Sequence, residues 1–320
     1  MNEFKTINQL VLGEVFQGFF IVKSAEAKLT QSNSKFMDLT LGDKTGEINA
    51  KIWDCTEENE SICIVNKIIK IQAEVTQWKE KLQLSIKRVR LVTEEDGVNV
   101  DDLIRTAPYK PEDMYSEVKV YLAKIKDPDI QRIVFTLLEE NKEKLIYYPA
   151  AQKNHHSIRS GLLYHTLTML KAGEKLSEIY DFLNKDLLFA GVILHDIAKV
   201  DEMDASNLGI VTDYTREGQL LGHIIQGVKL IDATAKKLEV NEEKSLMLQH
   251  MILAHHNEPE YGSPKRPMFP EAEMLHYLDM IDARMYDMCS ALEGVSPGSF
   301  SERSWVLNNR RLYKYSYGED

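Results

Sequence analysis

The stretch that most constrains this 320-residue chain is Leu187–Leu194, LLFAGVIL, followed at once by His195-Asp196. Seven of its eight residues are apolar, Gly191 being the exception. A helix of that composition has no polar face to turn to water, so it belongs inside a core. A carboxylate carried to that depth is very costly unless a cation or several donors meet it. The fold must therefore build a polar centre at the end of a buried helix. A divalent ion is a partner that His195 and Asp196 can share. Lys199 falls at i+4 from His195 and i+3 from Asp196, so a continuing helix places all three on one face. Its ammonium then meets a phosphate oxygen or Asp196 itself. Taken alone, the dipeptide is better explained by an Asp–Lys pair beside a satisfied core histidine.

The other histidines decide between these readings. All nine lie between His155 and His276, and none in the first 154 residues. His165 is in phase with Leu162 and Met169 on an apolar face. His223 opens another apolar pattern, His255 and His256 end the run MILAHH, and Asp279 and Asp282 stand three apart in MLHYLDMIDARM. One such placement is ordinary core; this many point to a shared site. His and Asp without Cys suit a borderline-to-hard divalent ion such as Mn²⁺, Fe²⁺, Mg²⁺ or Zn²⁺. Two ions bridged by Asp196 fit phosphoester hydrolysis, which needs an activated water and charge stabilisation on the attacking and leaving oxygens.

The two halves of the chain are patterned differently. Gly18–Leu29, Lys35–Gly42, Glu47–Trp53, Lys67–Gln77 and Leu82–Val92 read as strands, several with strict alternation, and Cys55–Val65 as a short helical insert. Five strands with a helix between the third and fourth fit a small Greek-key barrel of the OB type, as they fit other five-stranded domains. Residues 94–113, acidic and holding Pro108 and Pro111, read as a linker. From Met114 the period becomes helical, with helices expected near Ser160–Ser177, Asp186–Lys199, Gly218–Lys237, Glu242–His256 and Pro270–Met288. The expectation is an N-terminal β-barrel (residues 1–93) followed by an all-α domain (114–300) and a basic, aromatic tail (301–320).

Composition excludes little but locates the chain. With 43% hydrophobic and 28% charged residues it is an ordinary globular protein. Three cysteines without a framework, no signal-like N-terminus and no apolar run near bilayer length point to a reduced, cytoplasmic setting away from membranes. A net charge of -11 argues at first against nucleic acid.

The order His165, His195-Asp196, His223, His255-His256, Asp279 matches the signature of the HD phosphohydrolase superfamily. With PAAQKNHHSIRSGLLYHT (Pro149–Thr166), ILHDIAK and EAEMLHYLDMIDARM (Glu271–Met285), the chain resembles the YhaM-type 3′→5′ exoribonucleases over roughly residues 10–300. Ser160-Gly161 stands where that family has a glycine pair. The resemblance implies an HD fold and a divalent-metal exonuclease, manganese foremost with Mg²⁺, Fe²⁺ or Co²⁺ as the other candidates. It implies single-stranded RNA as substrate, with single-stranded DNA as a second one, nucleoside monophosphates as products, and a homo-oligomer, a hexamer among the admissible assemblies. By motif position, His165, His195, Asp196 and Asp279 hold one metal, Asp196, His223 and His255 the second, and Lys199 binds phosphate. Asp279 is preferred to Asp282 because the superfamily's late Asp ends the apolar run. His256 replaces or supplements His255. His155, His156 and Arg159 join His256 as substrate or supporting candidates, or else simply flank the His165 helix.

Within the barrel, Phe36, Trp53 and Trp78 are candidates for base stacking, the tryptophans being either that or barrel core. Between Lys67 and Arg90 seven basic residues, Lys81 and Arg88 among them, face only Glu74 and Glu80. That patch is a nucleic-acid groove or a solvated strand edge. The tail Arg303–Tyr317 suits RNA contact or subunit packing, and Trp305, Val306, Leu307 and Leu312 favour packing. Two other functions compete with exonuclease action. One is hydrolysis of small or cyclic nucleotides with a regulatory barrel; the other is non-catalytic nucleic-acid binding, disfavoured by the complete ligand set.

Overall fold

The computed structural model describes residues 5–317. The chain divides into two compact units, Met1–Thr106 and Ala107–Asp320.

The first unit holds β1 (Val15–Leu29), β2 (Lys35–Asp43), β3 (Gly46–Ile52), the short helix α1 (Glu57–Ile62), β4 (Ile68–Trp78) and β5 (Lys81–Leu91). The strands close into a barrel in the order β1-β2-β3-β5-β4. Only β3 and β5 run parallel. With α1 between the third and fourth strands, this is the OB arrangement. Alternation supplies the core: β3 turns Ile48, Ala50 and Ile52 inward and β4 Ile69, Ile71, Ala73 and Val75. Lys79 and Glu80 both take positive φ (46° and 67°), the two-residue turn whose twist matches its flanking strands. The segment expected as linker begins with structure: Asp96 takes both Arg90 (2.6 Å) and Lys70 (3.1 Å). It thereby neutralises part of the basic strand pair that the sequence displays.

The second unit contains α2 (Pro111–Lys124), α3 (Pro128–Glu140), α4 (Lys142–Leu145), α5 (Gly161–Ile179), α6 (Lys185–Leu194), α7 (Lys199–Glu202), the hairpin β6 (Met203–Ala205) and β7 (Val211–Tyr214), α8 (Arg216–Lys237), α9 (Glu242–Ala254), α10 (Pro270–Leu292), and the hairpin β8 (Ser299–Phe300) and β9 (Tyr313–Lys314). Caps explain several helix starts. Asp127 accepts the amides of Asp129 and Ile130 at α3, and Asn184 those of Asp186 and Leu187 at α6. Every residue of Leu187–Leu194 is buried, with α6 packed among α3, α5, α9 and α10.

One expectation changes here. The helix ends at Leu194, not Lys199, and His195–Ala198 form a turn before α7. The Lys199 amide bonds the Asp196 carbonyl (3.0 Å) across that turn, so the lysine still reaches its carboxylate. Among the described residues no helix is long and apolar enough to cross a membrane.

Candidate active site

α5, the α6–α7 turn, α8, α9 and α10 each bring one or more polar side chains to a common point. His165 Nε2 lies 3.2 Å from His195 Nε2, 3.3 Å from Asp279 Oδ1 and 3.8 Å from Asp196 Oδ2. His195 Nε2 is 3.2 Å from the same Asp196 oxygen. Bonds of about 2.1 Å to one ion put neighbouring donor atoms roughly 3.0–3.4 Å apart. Three of these four separations fall in that window, and the fourth needs a few tenths of an ångström. The other oxygen of Asp196 faces the opposite way. Asp196 Oδ1 is 3.4 Å from His223 Nε2 and 4.0 Å from His255 Nε2. All three atoms are buried and have no hydrogen-bond partner. Leaving such groups unsatisfied is expensive, so a missing cation is the natural complement. The donors, imidazole and carboxylate without thiolate, fit a divalent ion in each half, with Asp196 between them.

Each imidazole is aimed by its other nitrogen. His195 Nδ1 bonds the Val192 carbonyl (2.8 Å) and His255 Nδ1 the Ile252 carbonyl (2.7 Å). His165 Nδ1 bonds Asp282 Oδ2 (2.7 Å), and His223 Nδ1 lies 3.1 Å from both oxygens of Glu202. Glu202 Oε1 also accepts the His223 amide (2.9 Å). Gly222, at φ 68° and ψ 164°, breaks α8 just before His223 and frees that amide. Such outer carboxylates fix the tautomer and sharpen ligand basicity.

Charges at the centre are strongly coupled. Burial raises the Asp196 pKa, but Lys199 and the histidines outweigh it and hold the carboxylate well below its usual range. Lys199 Nζ is 2.7 Å from Asp196 Oδ2, and this neighbour raises the lysine pKa although burial opposes it. Burial opposes a charge on His165 as well. The carboxylates of Asp279 and Asp282 overcome it and push the pKa up to about 10, so without a metal the cluster keeps a proton there. His155, with its ring 6.2 Å from that of His165, is driven down to about 4 by burial and then by Lys199, and is neutral.

Residues 162–284 match the HD domain family. A 3′-5′ exoribonuclease YhaM of Shouchella clausii is 44% identical over 313 residues, 98% of this chain and 97% of that one. Its counterpart in Bacillus subtilis is 40% identical over 306 residues, 96% of each. The chain belongs to the YhaM exoribonuclease family. Among solved structures it is similar to the second OB-fold domain of replication protein A from Methanococcus maripaludis, at 19% identity and TM-score 0.24 over 28% of this chain and 95% of that one.

The metal-type residues expected from the sequence, His165, His195, Asp196, His223, His255 and Asp279, meet in one place, with Lys199 beside them. Asp282 is in a different position from Asp279: its Oδ2 bonds both His165 Nδ1 and His156 Nε2 at 2.7 Å. Both are hydrogen-bond lengths: the trio His156, His165 and Asp282 has donor atoms close enough to hold an ion, and here it is hydrogen-bonded within itself. For His156 the sequence leaves a substrate or a supporting role open, and its contacts favour the second: its ring is buried, bonded to Asp282 and packed 4.0 Å from Tyr286. It holds φ 52° on a loop where Asn154 and Ser160 are also left-handed. His256 lies beside His223 and His255, within ligand range of both. Arg159 is half-buried on the loop before α5. Sequence reasoning missed Glu202. Its only signal is an acid three residues after Lys199, in HDIAKVDE.

In the barrel unit, Trp53 and Trp78 are 51% and 64% exposed, so neither fills the core. Phe36 and Trp53 stack side by side on the outer face of β2–β3 (ring centroids 5.2 Å), with Lys51 over Phe36 at 5.0 Å. Trp78 sits at the β4–β5 turn with Lys79 5.9 Å over its ring, and Lys81 opens the next strand. Lys81 and Arg88 are exposed and carry no carboxylate partner among the described residues.

Proposed function

We propose that this chain hydrolyses single-stranded RNA from its 3′ end to nucleoside monophosphates, using two divalent ions, manganese foremost. One observation carries the reading: Asp196 directs one oxygen at His165 and His195, with Asp279 beside His165, and the other at the unpartnered nitrogens of His223 and His255. When bound, a pair of ions supplies the activated water and the charge stabilisation that phosphodiester cleavage needs. The protein's own part is positional and electrostatic. Asp196 bridges the two halves. Glu202 and Asp282 lock the rings of His223 and His165. Lys199, held charged by Asp196, would offer its ammonium to a phosphate oxygen at the same centre. His155, uncharged and beside the cluster, can accept or donate a hydrogen bond without repelling them. The outer face of β2–β3 and the β4–β5 turn offer Phe36, Trp53 and Trp78 as flat surfaces for bases, with Lys81 and Arg88 for phosphates.

The test is digestion of 5′-labelled and 3′-labelled RNA oligomers with Mn²⁺. The reading expects a ladder shortening from the 3′ end of the 5′-labelled strand, and immediate release of mononucleotide from the 3′-labelled one. Asp196→Ala should abolish turnover and leave RNA binding nearly intact. Intact RNA beside hydrolysed cyclic or small nucleotides would move the substrate elsewhere, and turnover retained in Asp196→Ala would remove the metal assignment.

A further inference from the structure

The C-terminal hairpin takes no part in the mechanism above. Leu307 and Leu312, expected to seek a partner subunit, are buried within their own unit. Arg284 of α10, two residues past Asp282, donates Nη1 to the Val306 carbonyl (2.8 Å), which anchors the hairpin to the helix carrying Asp279. What remains outside is aromatic. Trp305 is 81% exposed, Tyr317 78% and Tyr315 57%, with Phe300 and Tyr313 close behind. Tyr315 and Tyr317 stack at 4.7 Å, and Phe300 packs on Tyr313 at 5.1 Å. Between Arg303 and Tyr317 there are four cations and no acid, in a chain of net charge -11.

Those cations are unlike most others here. None of Arg303, Arg310, Arg311 and Lys314 has a carboxylate partner among the described residues. The three arginines instead each spend one N–H on a backbone carbonyl: Arg303 on Asn309 (3.0 Å), Arg310 on Leu307 (2.9 Å) and Arg311 on Ser301 (2.9 Å). Arg311 also lies over the Phe300 ring at 5.5 Å. Each guanidinium is held in place while its remaining N–H groups stay available to an anion. Fixed cations interleaved with flat exposed rings complement a polymer that repeats a phosphate and a planar base.

We propose that this hairpin is a second single-stranded RNA site, on the catalytic unit itself. Trp305 and Tyr315 stack bases and the pinned arginines hold phosphates. The identity of the polymer rests on the exoribonuclease reading; the site does not.

The full-length protein in EDTA binds fluorescein-labelled oligouridylate without cutting it. Trp305→Ala/Tyr315→Ala should weaken that binding at least about tenfold. Arg310→Gln/Arg311→Gln keeps the buried side chains of Leu307 and Leu312 in place. It should reduce the slope of log affinity against log salt by about 1.4, two phosphates at roughly 0.7 each. Hydrolysis of a trinucleotide with Mn²⁺ should be unchanged in both variants. In a Trp53→Phe/Trp78→Phe background, RNA should quench the remaining exposed tryptophan. Affinity and salt slope unchanged in both variants overturn the proposal. So does a lower sedimentation coefficient at unchanged RNA affinity, which makes the face a contact between copies of this chain. Wild type that neither binds nor degrades RNA overturns the substrate reading as well; wild type that degrades RNA while both variants bind like it overturns only the hairpin.

Discussion

Glu202→Gln is the sharpest perturbation of the proposed two-ion centre, because it is nearly isosteric and touches no expected ligand atom. Glu202 accepts the His223 amide at 2.9 Å and faces the His223 Nδ1–H with both oxygens at 3.1 Å. That leaves Nε2 as a bare lone pair toward Asp196 Oδ1. A glutamine keeps one acceptor for two donors, and its amide nitrogen opposes Nδ1–H donor to donor. The ring then rotates or moves its proton to Nε2, where the ion belongs. Losing one charge-assisted hydrogen bond is worth about 1.5–3 kcal/mol, which matches the 10- to 100-fold losses typical of outer-ligand changes. The loss should fall on one ion only, since His165, His195 and Asp279 are oriented by other partners. Isothermal titration with Mn²⁺ should show one of two affinities weakened by that factor. RNA hydrolysis should fail at limiting Mn²⁺ and recover at high Mn²⁺. Far-UV circular dichroism in EDTA should match wild type. Both affinities unchanged within twofold, or both weakened alike, would refute the assignment of Glu202 to a single ion.

Three further outcomes are expected. Chelation should lower stability: saturation at about 100 times Kd contributes roughly 2.7 kcal/mol, or about 5–11 °C in Tm for a unit this size, and a Tm indifferent to Mn²⁺ would sink the fit argument. Gly161→Ala should cost at least ~3 kcal/mol, because the new Cβ would drive into the His156 carbonyl oxygen, a backbone atom that cannot step aside; a variant melting within 2 °C of wild type, on the order of 0.5–1 kcal/mol, contradicts this. Asp127 caps α3 and pairs with Lys244 at 2.8 Å; burial opposes its ionisation, yet Lys244 and the α3 amides outweigh it and lower its pKa. Its contribution is therefore present above the unfolded carboxylate value of about 3.9 and lost as pH falls through the lower folded one. Asp127→Ala should cost about 1–2 kcal/mol at pH 7 and flatten the acid limb of the denaturation curve; an unaltered limb would count against it.

Much of the architecture was legible because it rests on short-range regularities. Alternation in Glu47–Ile52 and Ile68–Val75 marks which side chains face the barrel axis, and closure follows from having one apolar face to bury. The motif histidines were legible for the opposite reason: each interrupts an apolar face, where a polar group needs a cause. What escaped is what depends on the partner of a partner. Asp282 has the same spacing credentials as Asp279, and only the tilt of α10 against α5 sends one toward His165 Nε2 and the other to His165 Nδ1. His156 lies near His165 in sequence, which leaves a substrate and a supporting role equally open; only the fold, with a left-handed backbone at His156, brings its ring to Asp282. Glu202 was invisible because its role is created by Gly222, twenty residues later, whose positive φ exposes the amide that the carboxylate takes.

The net charge of -11 reads as an obstacle to RNA only while charge is treated as an average. Within the chain, acids and bases are sorted by whether they have partners. Arg90 and Lys70 are offset in part by Asp96, which they share, and Lys244 is paired with Asp127 and Asp129. Asp196 and Asp279 face a centre built for cations, so their charge is not presented to solvent as the formal count assumes. Some of the cations left over lie where rings are also exposed: Lys79 and Lys81 beside Trp78, and the arginines of the C-terminal hairpin. A polyanion is therefore met by a few local positive patches on an acidic body. Such a body suits an enzyme whose strand must advance by one nucleotide after every cleavage. A uniformly basic surface would hold the strand and resist that step.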